Sequence, residues 1–186
     1  MTRDDILKLK AATLYILKKY GTADYIHLFK TLYFAERKKY AEYGSHLVKD
    51  SFCALPLGPV PSFLYDAVKN RAGMKHVVHE GLNIMADALI PGEAKCVGAL
   101  VSAAEAPDMD WLSEVDVEML DWAYDKCKNV SSRDLSQKSH DEAWREAYNK
   151  RYASPMDSIA IAKAGGASDG FAEYLMEQEQ LEAALA

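Results

Sequence analysis

The sequence predicts a mainly α (α+β) fold: a compact helical domain with a small antiparallel β-meander near residues 75–103. Three observations carry that prediction. Long segments place apolar residues at three- and four-residue steps, which is the spacing of one helix face. Hydroxyl residues recur three positions ahead of an acid, as they do where helices start. Near residue 75 the period changes, and short apolar runs alternate with turn formers.

Thr2 and Asp5 have capping-box spacing, and Ile6, Leu9, Thr13, Ile16 and Tyr20 form one stripe behind them. Gly21 is placed to end that helix and Thr22 to cap a second one. The second helix is apolar nearly all round, from Tyr25 and Ile26 through Phe29 and Leu32 to Tyr33 and Phe34. A helix with no polar face is a buried one, so it is predicted to be central. It turns polar at Glu36 and ends near Tyr43-Gly44; Arg37-Lys38-Lys39 reads as its solvated end, where cations suit the helix dipole.

Residues 44–61 hold Gly44, Pro56, Gly58, Pro59 and Pro61, and read as an extended or turning connection. Pro61 suits the first turn of a third helix striped by Val60, Phe63, Leu64, Ala67 and Val68. In the meander, Val77-Val78, residues 84–90 and residues 96–101 are the apolar runs, with a helix over 95–104 as the rival reading. Ser113 with Asp116, Ser131 with Asp134 and Ser139 with Glu142 mark further helix starts. From Ser154 a short helical run reaches Ala164, Gly165-Gly166 breaks it, and a last helix begins at Ser168. The expected organisation is one unit over residues 1–152, with a helical extension over 153–186 packed on it.

The 186 residues are 49% hydrophobic and 27% charged, an ordinary globular balance that excludes wholesale disorder. No apolar run approaches the roughly 18 residues a membrane span needs, and the charged N-terminus is not a signal peptide. A cytoplasmic location and no membrane partner are expected. The three cysteines Cys53, Cys96 and Cys127 match neither a disulfide framework nor a metal clamp, and read as buried thiols in a reducing compartment. A net charge of −6 disfavours binding to phosphate backbones.

Candidate chemistry is sparse. His76 and His79 fall in a predicted strand, where residues three apart face opposite ways and cannot share an ion. His140, Asp141 and Glu142 could form the acid–base cluster of a hydrolase or metal enzyme. Against that, Ser139 and Glu142 have capping spacing, and Asp141 suits the positive end of a helix dipole. Gly58-Pro59 is no phosphate loop, because proline lacks the N–H such a cradle needs. Residues 159–168 look like the start of a helix-turn-helix DNA reader. The helix that follows, however, carries Asp169, Glu173, Glu177, Glu179 and Glu182 and no Lys or Arg, so a packed helix pair is the better reading. No catalytic residue, metal ligand or cofactor is assigned, and the protein alone is expected not to bind nucleic acid.

Three segments in fixed order carry a resemblance. They are Lys30-Thr31-Leu32-Tyr33-Phe34-Ala35-Glu36; then Ala54-Leu55-Pro56-Leu57-Gly58-Pro59-Val60-Pro61-Ser62-Phe63-Leu64-Tyr65; then the stretch from Pro107-Asp108-Met109-Asp110-Trp111 to Leu135-Ser136, His140 and Trp144. Together they resemble the Panacea domain family, the SocA-like or phage-associated antitoxin proteins. The resemblance implies the antitoxin half of a bacterial or phage toxin–antitoxin pair. Members bind a protein toxin encoded by a neighbouring gene, and one type delivers its toxin to a protease; the family is not known for a metal, cofactor or reaction. The shared residues Tyr33, Phe34, Gly58, Pro59, Val60, Leu135, Ser136, His140 and Trp144 read as fold determinants. Tyr40, Tyr43 and Tyr152, each where a helix gives way to polar or turning sequence, are the candidate partner contacts.

Overall fold

A computed structural model describes residues 1–73, 80–92 and 99–185. His76, His79, Cys96 and the Val77-Val78 run lie outside the described residues.

The first helix, α1 (Arg3–Tyr20), opens on the Thr2/Asp5 capping box and stops at Gly21, whose φ is 71°. Thr22 does not cap the second helix as its position suggests. It starts a short strand, β1 (Thr22–Asp24), and Asp24 is the cap, its carboxylate accepting from the His27 amide. Asp24 can also receive the His27 imidazole and the Ser132 hydroxyl, three donors that Thr22 could not gather.

Helix α2 (Tyr25–Tyr43) ends at Gly44, in the left-handed region, and is central as predicted. Its burial extends beyond its apolar residues. Glu36 and Lys39 are buried, so the helix does not emerge into water at Glu36. The Arg37-Lys38-Lys39 run is not a solvated end either. The three cations pair with three carboxylates: Arg37 with Asp141, Lys38 with Glu42, and Lys39 with the buried Asp116. Glu36 accepts from the Leu47 and Val48 amides and pairs with His46, which ties the following loop to the helix.

The connection over residues 44–61 contains a hairpin. Strands β2 (Phe52–Leu55) and β3 (Gly58–Pro61) pair antiparallel with Leu55 opposite Gly58, so Pro56-Leu57 is a two-residue turn. Helix α3 (Ser62–Arg71) starts after Pro61, which supplies no side-chain cap. Asp50 reaches across to accept from the Phe63 and Leu64 amides instead.

The predicted meander is only partly a meander. Residues 80–87 form a helix, α4 (Glu80–Asp87), not a strand; Leu82, Met85 and Ala86, at three- and four-residue steps, are its buried face. Strands β4 (Leu89–Pro91) and β5 (Leu100–Ala103) do pair antiparallel, and the third strand of that sheet is β1, giving the order β1-β5-β4.

A single 3₁₀ turn (Met109–Trp111) precedes α5 (Glu114–Cys127), which opens on the Ser113/Asp116 capping box. Helix α6 (Ser132–Lys138) is capped by Ser131. Helix α7 (Glu142–Lys150) is capped by Asp141, not by the Ser139/Glu142 pair: Ser139 closes α6, and its hydroxyl donates to the Ser136 carbonyl. Strand β6 (Ser154–Pro155) adds to β2, giving a second sheet in the order β3-β2-β6.

Helices α8 (Ser158–Ala164) and α9 (Asp169–Leu185) close the chain, with α8 lying against α2 and α7. Ile161 joins the main core, whereas Tyr40, Ala162 and Leu175 form a smaller apolar cluster. Among the described residues the fold is mainly α with two small three-stranded antiparallel sheets. No helix among the described residues is long and apolar enough to cross a membrane.

Candidate partner-binding site

The hairpin turn is where the family-like residues meet. Three alternate carbonyls, at positions 55, 57 and 59, each accept a hydrogen bond from a different helix. The indole N–H of Trp144 in α7 donates to Leu55 at 3.0 Å. The hydroxyl of Ser136 in α6 donates to Leu57 at 3.1 Å. The ammonium of Lys30 in α2 donates to Pro59 at 2.7 Å. These carbonyls lie at the turn end of the hairpin, and donors from three helices fix it in one position.

Gly58 lets that position exist. Its φ is 96°, and an added Cβ would lie 2.2 Å from the Ser139 hydroxyl and 3.0 Å from the Lys30 ammonium. Only glycine combines that backbone with so close an approach. Lys30 is fully buried, and burial pushes its pKa down to about 7. Of the other shared residues, Tyr33, Phe34, Val60 and Leu135 are buried in the main core, Pro59 lies within β3, and His140 stacks on Trp144.

Asp141 is the second hub. One carboxylate oxygen accepts from the Tyr33 hydroxyl at 2.7 Å and from Arg37 at 2.6 Å, and the other accepts from the Trp144 amide. Glu142 is exposed and turned toward Arg145. His140 encloses its Nε2 without a hydrogen-bond partner among the described residues. Burial and then the Lys30 charge hold its pKa below the ordinary value. The His140-Asp141-Glu142 run is therefore three side chains directed three ways, and among the described residues no cluster of three His, Cys, Asp or Glu could hold a metal.

Outside the hairpin lies an apolar groove of about 270 Å³. Its walls come from Tyr25, Ile26 and Phe29 of α2, Leu55 and Leu57 of the hairpin, and Tyr65 of α3, and Tyr152 lies at its rim. A second hollow, of about 380 Å³, continues from it past Ile26, Pro56 and Leu57 toward Arg133 and His140. Leu57 is 42% exposed and Tyr152 74% exposed between and beside them. The donors of the three locked carbonyls thus stiffen the floor of an open apolar surface.

Of the three predicted contacts, Tyr152 lines this groove and Tyr43 is exposed at the end of α2. Tyr40 is 3% exposed; it stacks on His46 and donates to Glu179 of α9, and so fastens the last helix. Sequence reasoning did not single out Lys30, Leu57, Tyr25 or Tyr65. For Lys30 a signal was present: a cation inside an otherwise apolar helix stretch needs an acceptor brought from elsewhere.

A family model described as "Antitoxin SocA-like, Panacea domain" matches residues 28–145, more than half of the chain and the span from α2 to α7. The fold and the locked hairpin thus sit in an antitoxin-like class of protein. The chain belongs to the SocA-like Panacea domain family. No curated protein and no solved structure matches it.

Proposed function

We infer that this protein neutralises a toxin encoded by a neighbouring gene, by binding it directly, and that it does so without chemistry of its own. A family of antitoxin-like domains implies a protein partner in general. The observation that carries the finer reading is the groove: an apolar, aromatic-walled surface on a rigid hairpin, with Leu57 and Tyr152 projecting beside it. Aromatic anchors around a preformed apolar hollow are what a tight protein interface uses, because little is lost in ordering them. The occupant would be an apolar segment of the toxin. Binding there either occludes the toxin or holds it for delivery to a protease, and neither mode requires a catalytic group in this chain.

The test is co-expression. The neighbouring gene should arrest growth when expressed alone, this protein should relieve the arrest, and the two should co-purify. A harmless neighbour, or relief with no complex formed, would overturn the reading.

A further inference from the structure

The last helix has two unlike sides. Toward the body, Ala172 and Leu175 are buried, and Leu175 lies so close to Gly44 that a Cβ there would come within 2.8 Å of it. On the same side Glu179 accepts from the Tyr40 and Ser158 hydroxyls, both at 2.6 Å. On the outer side Tyr174, Leu181 and Leu185 are 52%, 56% and 88% exposed. At 3.6 residues per turn these three fall within about 40° of one another around the helix axis. Single exposed apolar residues are ordinary, but three in line over three turns make a stripe. Glu177 flanks it on one edge; on the other lie Gln178 and, further round, Glu182, which lines the hollow beside His46 and Lys49; no Lys or Arg occurs in α9.

We propose that this stripe is a docking surface for a basic amphipathic helix of a protein partner. Charge selects the occupant. A second copy of this chain would bring its own glutamates against these, and an anionic lipid surface or a nucleic acid would be repelled by them. A helix with leucines along one face and lysines or arginines beside them satisfies both the stripe and its edges. The inference rests on the protein-binding reading only in taking a polypeptide as occupant. It uses a different element from the groove, so either can fail alone.

The full-length protein would be titrated against a labelled synthetic amphipathic helix of about 18 residues, with a leucine face and lysine edges. Controls are the same peptide with glutamates at its edges, phosphatidylserine-containing vesicles, and sedimentation of the protein alone. The lysine peptide should bind, more weakly as salt rises, and Leu181→Glu with Tyr174→Glu should weaken it about tenfold or more while leaving Tm unchanged. The glutamate peptide and the vesicles should not bind. No binding of the lysine peptide, equal binding of the glutamate peptide, or binding indifferent to the two substitutions would overturn the proposal. So would a dimer or vesicle complex that Leu181→Glu dissolves in the absence of peptide binding.

Discussion

The imidazole of His140 lies flat on the indole of Trp144, with ring centroids 3.8 Å apart and planes 8° from parallel. The stack holds the indole so that its N–H meets the Leu55 carbonyl, and so links α7 to the hairpin that forms the groove floor. His140→Ala should therefore lower stability by about 1–2 kcal/mol, the scale of a lost ring contact with its burial. Thermal unfolding measures this.

The histidines should separate by titration. His27 faces Asp24 and the Val130 carbonyl, and the Asp24 hydrogen bond holds its pKa above the ordinary value. At His46 burial lowers the pKa, but the Glu36 carboxylate more than offsets it, and the net shift is upward. His140 is shifted downward. For His27 and His46 the stabilisation is complete below the unfolded value of 6.5 and is lost as pH rises through the folded pKa. For His140 charging is disfavoured by folding, so stability is lost as pH falls below 6.5. Imidazole NMR titration should place His140 below 6.5 and the other two above it.

Lys30 gives a pH signature of opposite hand to those two. Its pKa falls from 10.5 to about 7 on folding, so between those values the unfolded chain binds the extra proton and stability rises with pH. Lys30→Met removes the buried charge while leaving the Pro59 carbonyl without its donor. The variant should gain on the wild type most at pH 6–7, and the difference should shift toward the wild type by a few kcal/mol as pH rises toward 10. Urea unfolding of both proteins at several pH values checks it; a pH-independent difference would contradict the account.

Gly58→Ala should destabilise by about 2–4 kcal/mol, since the new methyl meets Ser139 and the backbone keeps a φ of 96°. Adding Ser139→Ala should recover only part, because Lys30 and the φ remain. Full recovery would show that the clash with Ser139 was the whole cost.

Much of this arrangement was legible in the sequence, and the part that was not has a common physical cause. The centrality of α2 followed from its lack of a polar face, and the caps at Thr2, Ser113 and Ser131 followed from local spacing. Local spacing failed where a distant partner decided the matter. Ser139 and Glu142 have the right separation, but Asp141 takes the cap because the same carboxylate also receives Tyr33 and Arg37, more than a hundred residues away. Lys39 looked solvated because Asp116 is 77 positions distant. The groove could not be read at all, since Tyr25, Tyr65 and Tyr152 meet only once three separate elements are packed.

The groove separates binding from folding, and so carries the last prediction. Leu57→Asp and Tyr152→Ser change exposed side chains that line it, and each should leave Tm within about 1 °C of the wild type. Together they should abolish rescue from the neighbouring gene product, because a carboxylate on the hairpin tip must be desolvated against an apolar segment of the toxin. Tyr40→Phe supplies the opposite control. It deletes a part-buried hydroxyl that donates to Glu179 at 2.6 Å, which should cost about 1 kcal/mol and loosen α9, yet leave rescue intact. If instead Tyr40→Phe abolishes rescue while Leu57→Asp with Tyr152→Ser does not, the toxin meets the α2–α9 side of the molecule and the hairpin groove is not its seat.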